Sequence, residues 1–316
     1  MATLDDFLKE WHSDKDYVCA FTSGSTGKPK EIRLLKSDMV ASARLTNRFF
    51  EIDSDSVLAI PLSFDYIAAK MMAVRACVAG CRIVELPVSN NIDIAGNVDL
   101  LSVVPTQLES LLSVDGIRSK VKNVLIGGAP LSHSMEEMIA ESGINAWLSY
   151  GMTETCSHVA VRRVGGDGVF HGMSGLRFNT DSRGCLTIES ETFSWRRLAT
   201  NDLADVIDPT SFRWLGRIDN VINSGGLKIS PELTESVYIR ALPSLKPFYL
   251  VGEPDPVLGE RVVMVTTDSD VENLAEKLRE HISDHKILPK RIISVDSLPM
   301  TARGKLRRIV PLESRH

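Results

Sequence analysis

This 316-residue chain predicts an α/β fold with a parallel sheet, then a β-rich stretch, then a small α+β module. Three observations carry that prediction. Short β-branched runs alternate with helix-like segments as far as Leu148, the signature of parallel strands under helical cover. Beyond Thr155 the runs shorten and are broken by Gly, Asp and Asn. From Asp219 onward helical and strand-like patterns alternate again, over a length normal for one domain.

Taken in order, residues 17–22 form a short apolar run that ends in a Gly-rich turn, and Ser37 is placed to cap a helix reaching Phe50. A strand at 56–60, an amphipathic helix over 65–79 and a strand at 82–86 follow. The alternation continues with a strand at 100–104, a helix opening at Pro105, a strand at 121–126, a helix opening at Ser132 and a strand at 146–150. Pro suits a first helical turn and Ser an N-cap. Strands at 157–164, 185–189, 197–200 and 212–215 read as a smaller antiparallel unit or barrel beside the α/β part. The last module reads turn, helix from Pro231, strands 248–251 and 262–265, helix 271–283 and strand 291–295. The domains expected are a core over 1–216, with its α/β part to about 155 and its β-rich part over 156–216, and a C-terminal domain over 217–316.

Composition narrows the function classes. Apolar residues are 43% and charged ones 24%, which excludes a disordered or fibrous chain. With 36 basic against 41 acidic side chains the net charge is −5, so a chain built to coat nucleic acid is disfavoured. No uncharged apolar run reaches the roughly 18 residues of a membrane span. The first residues show neither a basic n-region nor an h-region, and a cytoplasmic setting is expected. Five scattered cysteines, with Cys77 and Cys81 lacking a nearby His or Cys, read as reduced small hydrophobes rather than metal ligands.

Five segments carry chemistry. Thr22-Ser-Gly-Ser-Thr-Gly-Lys-Pro-Lys30 follows a strand and supplies glycines, hydroxyls and lysines, the groups that cradle a polyphosphate. It lacks the Walker spacing, and by composition alone such a run is more often a flexible loop. Tyr150-Gly-Met-Thr-Glu-Thr155 offers an aromatic for a base and a Thr153–Glu154 pair for Mg²⁺, or else a strand-end turn. Asp202 follows a strand, where a carboxylate can accept ribose hydroxyls, although an Asn-Asp pair is often only a turn. The stretch from Leu215 to Pro231 is dense in Gly and charge and suits a domain linker. Leu298-Pro-Met-Thr-Ala-Arg-Gly-Lys-Leu306 is basic and near the C-terminus, where solvated tails are common.

Together and in this order, the segments resemble the core motifs of the adenylate-forming superfamily: acyl- and aryl-CoA synthetases, peptide-synthetase adenylation domains and luciferases. The likeness runs from about Tyr17 to Leu306. It implies an adenylate-forming ligase fold with a shortened N-terminal core, and a small mobile C-terminal α+β domain. It further implies ATP, Mg²⁺ and CoA as cofactor and co-substrates. Thr22, Ser23, Gly24, Ser25, Thr26, Gly27 and Lys30 match the family's phosphate loop, and Gly128, Ala129 and Pro130 its adenine segment. Tyr150 and Gly151 match the stacking strand end, and Thr153 and Glu154 the Mg²⁺ site. Asp202 and Arg217 match the ribose pair. Lys305 matches the lysine that bridges carboxylate and phosphate during adenylation, Asp219 the hinge, and Gly225 and Gly226 the pantetheine loop. One departure is Asn201, where the family pattern has Gly.

Within the superfamily, Val103-Val-Pro-Thr-Gln-Leu108, Ile126-Gly-Gly-Ala-Pro-Leu131 and Ser149-Tyr-Gly-Met-Thr-Glu-Thr155 look most like o-succinylbenzoate–CoA ligases of menaquinone biosynthesis. On that likeness Phe64 stands at the acyl-pocket gate, without the usual His, Lys70 is placed to meet a second carboxylate or else is a helix-surface lysine, and Ser149 lies beside the acyl group. A small carboxylate is the expected partner, with no nucleic acid, and a homodimer stays open. The rivals are a ligase for another acid or for a carrier protein, and a non-catalytic adenylate-binding protein.

Overall fold

The computed structural model describes residues 2–22, 30–300 and 306–311, with Thr22 by its backbone alone. Two compact units emerge. One comprises Met1–Asn179, Thr187–Leu198 and Val206–Arg213, the other Thr180–Leu186, Ala199–Asp205 and Trp214–His316.

The first unit opens with helix α1 (Leu4–Trp11) and a hairpin of β1 (Tyr17–Thr22) and β2 (Lys30–Leu35). Helix α2 (Lys36–Phe50), β3 (Val57–Ile60), α3 (Ile67–Ala79), β4 (Arg82–Glu85) and β5 (Val98–Val103) follow. Pro105 then starts a tight turn into α4 (Leu108–Leu112), and α5 (Ile117–Lys120), β6 (Val121–Ile126), α6 (His133–Ser142) and β7 (Ala146–Met152) complete the alternation. Strands β4, β3, β5, β6 and β7 pair in parallel in that order. Apart from Asp99 and Lys122, β5 and β6 are buried throughout, as strands covered on both faces require.

Three expectations change here. The run at 17–22 is not part of the parallel sheet but pairs with β2, in register Thr22↔Lys30. Helix α2 begins at Lys36 with no side-chain cap, so Ser37 lies inside it. Helix α3 is not amphipathic: residues 69–76 are all buried, because α1, α2 and the sheet cover it together. Helix α1 was not anticipated; Thr3 and Asp6 close its capping box, and Phe7 is its buried anchor. Ser132 does cap α6, its Oγ accepting from the Met135 N–H at 3.2 Å.

Strands β8 (Ser157–Arg163) and β9 (Phe170–Gly172) continue the first unit's sheet antiparallel from β7, so they form no separate barrel. Strands β10 (Leu176–Thr180), β11 (Cys185–Ser190), β12 (Arg197–Asp208) and β13 (Ser211–Arg217) contribute segments to both units, and Ser211 and Phe212 pair with β9.

The second unit adds a hairpin of β14 (Ile222–Ser224) and β15 (Leu227–Ile229), then α7 (Pro231–Ala241), β16 (Phe248–Asp255), β17 (Gly259–Thr266), α8 (Val271–His281) and β18 (Arg291–Ser294). The β16–β17 hairpin is central, with β14 antiparallel and β18 parallel to β17. Alternation sorts its faces: Leu250, Val262 and Met264 meet Tyr238, Leu274 and Leu278 of the helices, while Tyr249, Val263 and Val265 face Leu298 and Leu306.

Candidate active site

In the first unit, the ends of β6 and β7 lie side by side. The Gly127 N–H donates to the Val103 carbonyl at 3.0 Å, and the chain turns at Gly128 with φ 91°. Gly128 and Pro130 are exposed and Ala129 half-buried. Ser149 Oγ donates to the Ile126 carbonyl at 2.8 Å, which ties the two strand ends together. Tyr150 meets Phe212 edge-on at 5.0 Å and Phe170 at 5.8 Å, so its ring is braced by β9 and β13.

Gly151 is there for clearance. A Cβ on it would lie 2.1 Å from the Ser157 carbonyl oxygen and 2.6 Å from His158 Cα, where the β7–β8 register shifts. Thr155 locks the turn that follows: its Oγ1 accepts from the Met152 N–H at 2.9 Å and donates to the Ser157 carbonyl at 2.6 Å. This leaves Glu154 exposed on one helical turn, with Thr153 half-buried beside it. Among the described residues no cluster of three His, Cys, Asp or Glu side chains stands ready for a metal. A single exposed carboxylate with a neighbouring hydroxyl fits Mg²⁺, which keeps most of its waters and borrows phosphate oxygens.

Phe64 is fully buried and stacks on Phe7 at 5.9 Å. Lys70 pairs with Glu10 at 3.2 Å and donates to the Cys19 carbonyl at 2.8 Å, so its ammonium is engaged within the unit. Lys30 is exposed on β2 opposite Thr22. Ser23, Gly24, Ser25, Thr26, Gly27 and Lys305 lie outside the described residues, as does the Thr22 side chain.

One group was not singled out by its sequence. Arg75, on α3, is 1% exposed, and no carboxylate among the described residues pairs with it. Its Nη2 reaches His158 Nδ1 and Ser157 Oγ, both at 3.4 Å, and its Nε finds no partner. Burial pulls its guanidinium down to about 9, still charged near neutrality. Burial and then the Arg75 charge hold His158 neutral, far below the usual imidazole range. The visible signal was one charge in an otherwise uncharged stretch from Met71 to Gly80.

In the second unit, Asp202 is 7% exposed, and its Oδ1 accepts from Trp214 Nε1 at 3.2 Å. Arg217 Nη1 lies 3.5 Å from that oxygen, while its Nη2 donates to Asp219 Oδ2 at 2.8 Å. Trp214 was also not anticipated. Gly225 and Gly226, at φ 57° and 81°, turn β14 into β15, a conformation that costs glycine little. The Gly225 N–H donates to the Leu258 carbonyl at 2.8 Å.

A sequence model described as AMP-binding enzyme matches residues 5–179, and one described as AMP-binding enzyme C-terminal domain matches residues 234–305. The chain belongs to the AMP-binding enzyme family. The family's fold is present: a large mixed α/β sheet with a small C-terminal α+β domain. The chain is 28% identical to the 2-succinylbenzoate–CoA ligase of Enterococcus faecalis, over 93% of this chain and 69% of that protein. With the same-named enzyme of Listeria monocytogenes it shares 26% identity over 98% of this chain and 72% of that one. Its fold matches an acyl-CoA synthetase (AMP-forming)/AMP-acid ligase II-like protein of Dyadobacter fermentans with TM-score 0.64 and 30% identity, covering 95% of this chain and 90% of that one. It matches the Bacillus subtilis o-succinylbenzoate CoA synthetase, in complex with an acyl-adenylate, with TM-score 0.79 and 22% identity, covering 92% and 67%. Among the described residues of this AMP-binding chain, no helix is long and apolar enough to cross a membrane.

Proposed function

We propose that this AMP-binding enzyme is a cytoplasmic, ATP- and Mg²⁺-dependent acid–CoA ligase, and that its acid is o-succinylbenzoate. The observation that carries the reading is the likeness to ligases of that name over more than nine-tenths of the chain. An acid carboxylate attacks the α-phosphorus of ATP in line, the P–O bond to pyrophosphate breaks, and an acyl-adenylate forms. The CoA thiolate then attacks the acyl carbon and AMP leaves. Charge builds on phosphate oxygens in the first step, so aligned donors and cations govern its rate.

Each residue has a part in this reading. Thr22, Ser23, Gly24, Ser25, Thr26, Gly27 and Lys30 hold the phosphates. Gly128, Ala129, Pro130 and the Tyr150–Gly151 strand end hold the adenine, and Asp202 and Arg217 the ribose. Glu154 and Thr153 hold Mg²⁺, whose charge screens the phosphates. Lys305 bridges carboxylate and phosphate, the chain swivels at Asp219, and Gly225 and Gly226 line the path of CoA. The C-terminal domain starts at Arg217. Phe64 and Ser149 border the acyl group, Phe64 from beneath the surface.

Lys70 is engaged with Glu10, whereas Arg75 is buried with no carboxylate beside it among the described residues. A second carboxylate on the acid supplies the charge that Arg75 lacks, so we assign that contact to Arg75 in preference to Lys70. The test is acid-dependent exchange of pyrophosphate into ATP across a panel of mono- and dicarboxylic aryl acids, with thioester formation followed separately. Exchange restricted to o-succinylbenzoate, with o-succinylbenzoyl-CoA as product, is the expected result. Exchange with no acid refutes the enzyme, and exchange without thioester points to a carrier acceptor.

A further inference from the structure

Asn201 sits between two charged groups of the second unit. On one side Arg183 holds Asp181 through its Nε at 2.9 Å and Nη2 at 2.8 Å, and donates to the Thr200 carbonyl at 3.0 Å. On the other, Asp219 accepts from Arg217, which in turn faces Asp202. The Asn201 amide joins them: its Oδ1 accepts from Arg183 Nη1 at 3.2 Å and its Nδ2 donates to both Asp219 oxygens at 3.3 Å. A donor on one side and a carboxylate on the other allow only one orientation of this amide.

We propose that Asn201 is a positioning residue for nucleotide binding: it holds the Asp219 carboxylate, Asp219 holds the Arg217 guanidinium, and Arg217 is thereby set against Asp202. The proposal rests on the reading that Asp202 and Arg217 bind ribose. Three properties of the side chain matter. It is neutral, so it brings no further charge between Asp181–Arg183 and Arg217–Asp219. It donates on the Asp219 side, where a carboxylate would repel. It also reaches both neighbours, which Gly at this position cannot do. Its partners are exposed, so each bond is worth little alone, and its effect comes through the orientation of Arg217.

Asn201→Gly removes the bridge, and Asn201→Asp keeps the reach but sets a second carboxylate against Asp219. With the full chain, ATP affinity without acid is measured by calorimetry, and KM for ATP and kcat are measured in acid-dependent pyrophosphate exchange. The expected result is a rise in KM for ATP of about 2- to 10-fold for Asn201→Gly, and a larger one for Asn201→Asp, with matching losses in calorimetric affinity. The value of kcat stays within about twofold and the melting temperature within about 2 °C, which separates positioning from a fold defect. Unchanged KM in Asn201→Asp overturns the proposal, as does a fall in kcat at constant KM. A wild-type chain that binds no ATP overturns the nucleotide reading itself, and the proposal with it.

Discussion

Arg308 sits two residues beyond the basic segment Leu298–Leu306, for which a solvated tail is the plain alternative. Instead it is half-buried against α7 and β16. Its Nη1 and Nη2 grip both oxygens of Glu235, the second at 2.8 Å, its Nη1 also donates to the Leu250 carbonyl at 2.9 Å, and its Nε lies 3.5 Å from Glu232. Both side chains of the main pair are nearly closed off, 16% and 14% exposed. Arg308→Met keeps much of the volume and strands the Glu235 charge. Breaking a buried pair costs about 3–5 kcal/mol, and the residual exposure puts the expected loss at about 3 kcal/mol. At roughly 2–4 °C per kcal/mol the second unit's melting transition falls by about 6–12 °C.

The loss carries a sign in pH. Burial raises the Glu235 carboxyl above its usual value, while the Arg308 hydrogen bond and charge pull it back down. A carboxyl raised in the folded state binds its proton more tightly there than when unfolded. Its favourable effect is therefore present at low pH and fades as pH rises through the folded value. Removing Arg308 removes both lowering influences, so the folded value climbs and that window extends upward. Thermal melts of wild type and Arg308→Met, followed by circular dichroism at about pH 5 and about pH 8, should show a deficit that is small at the lower pH and full at the higher. Adding Glu235→Gln to Arg308→Met should recover part of the stability. A deficit equal at both pH values, with no recovery in the double variant, would refute a charge origin and leave packing as the cause.

Gly151→Ala drives a Cβ into the backbone of β8 and should cost at least about 3 kcal/mol in denaturant melts; a cost under about 1 kcal/mol contradicts the close approach. Arg75→Met removes a buried charge that has no counter-charge among the described residues, so stability should hold within about 1 kcal/mol or improve, while KM for o-succinylbenzoate rises about 10- to 100-fold. If benzoate, with its single carboxylate, suffers equally in that assay, Arg75 does not read the second one. Lys305→Ala should slow adenylation by more than about 100-fold and largely spare thioester formation from preformed acyl-adenylate, measured by quench-flow. Equal losses in both half-reactions would exclude a role confined to the first.

The alternation of strands and helices was legible because each element is written locally: β5 and β6 are apolar runs, Ser132 is a cap, and Pro105 opens a turn. The motifs were legible for the same reason, since each is contiguous. What escaped depends on distant partners. Helix α3 reads as amphipathic until α1, more than fifty residues upstream, places Phe7 on Phe64 and Glu10 on Lys70. Strand β2 is charged at Lys30, Glu31 and Arg33, a pattern that suits only the exposed face of a hairpin. Asn201 was visible as a departure, but its use was not: Asp219 is eighteen residues away, and nothing in Thr-Asn-Asp announces a second carboxylate.

Two arginines, Arg75 buried and Arg308 half-buried, show how partner chemistry separates structure from function where burial alone does not. Arg308 meets the carboxylates of Glu232 and Glu235 and a backbone carbonyl, so its charge is matched inside the fold. Arg75 is more deeply buried, yet among the described residues its side chain meets only a neutral imidazole and a hydroxyl, and its Nε is unmatched. An unmatched buried cation costs several kcal/mol that a Met or Leu would avoid. In residues 71–79 of the helix, otherwise Ala, Met, Val and Cys, packing does not require it. On the proposed reading the acid supplies the matching anion, since a dicarboxylic acid brings one carboxylate to spare once the other has gone to the adenylate.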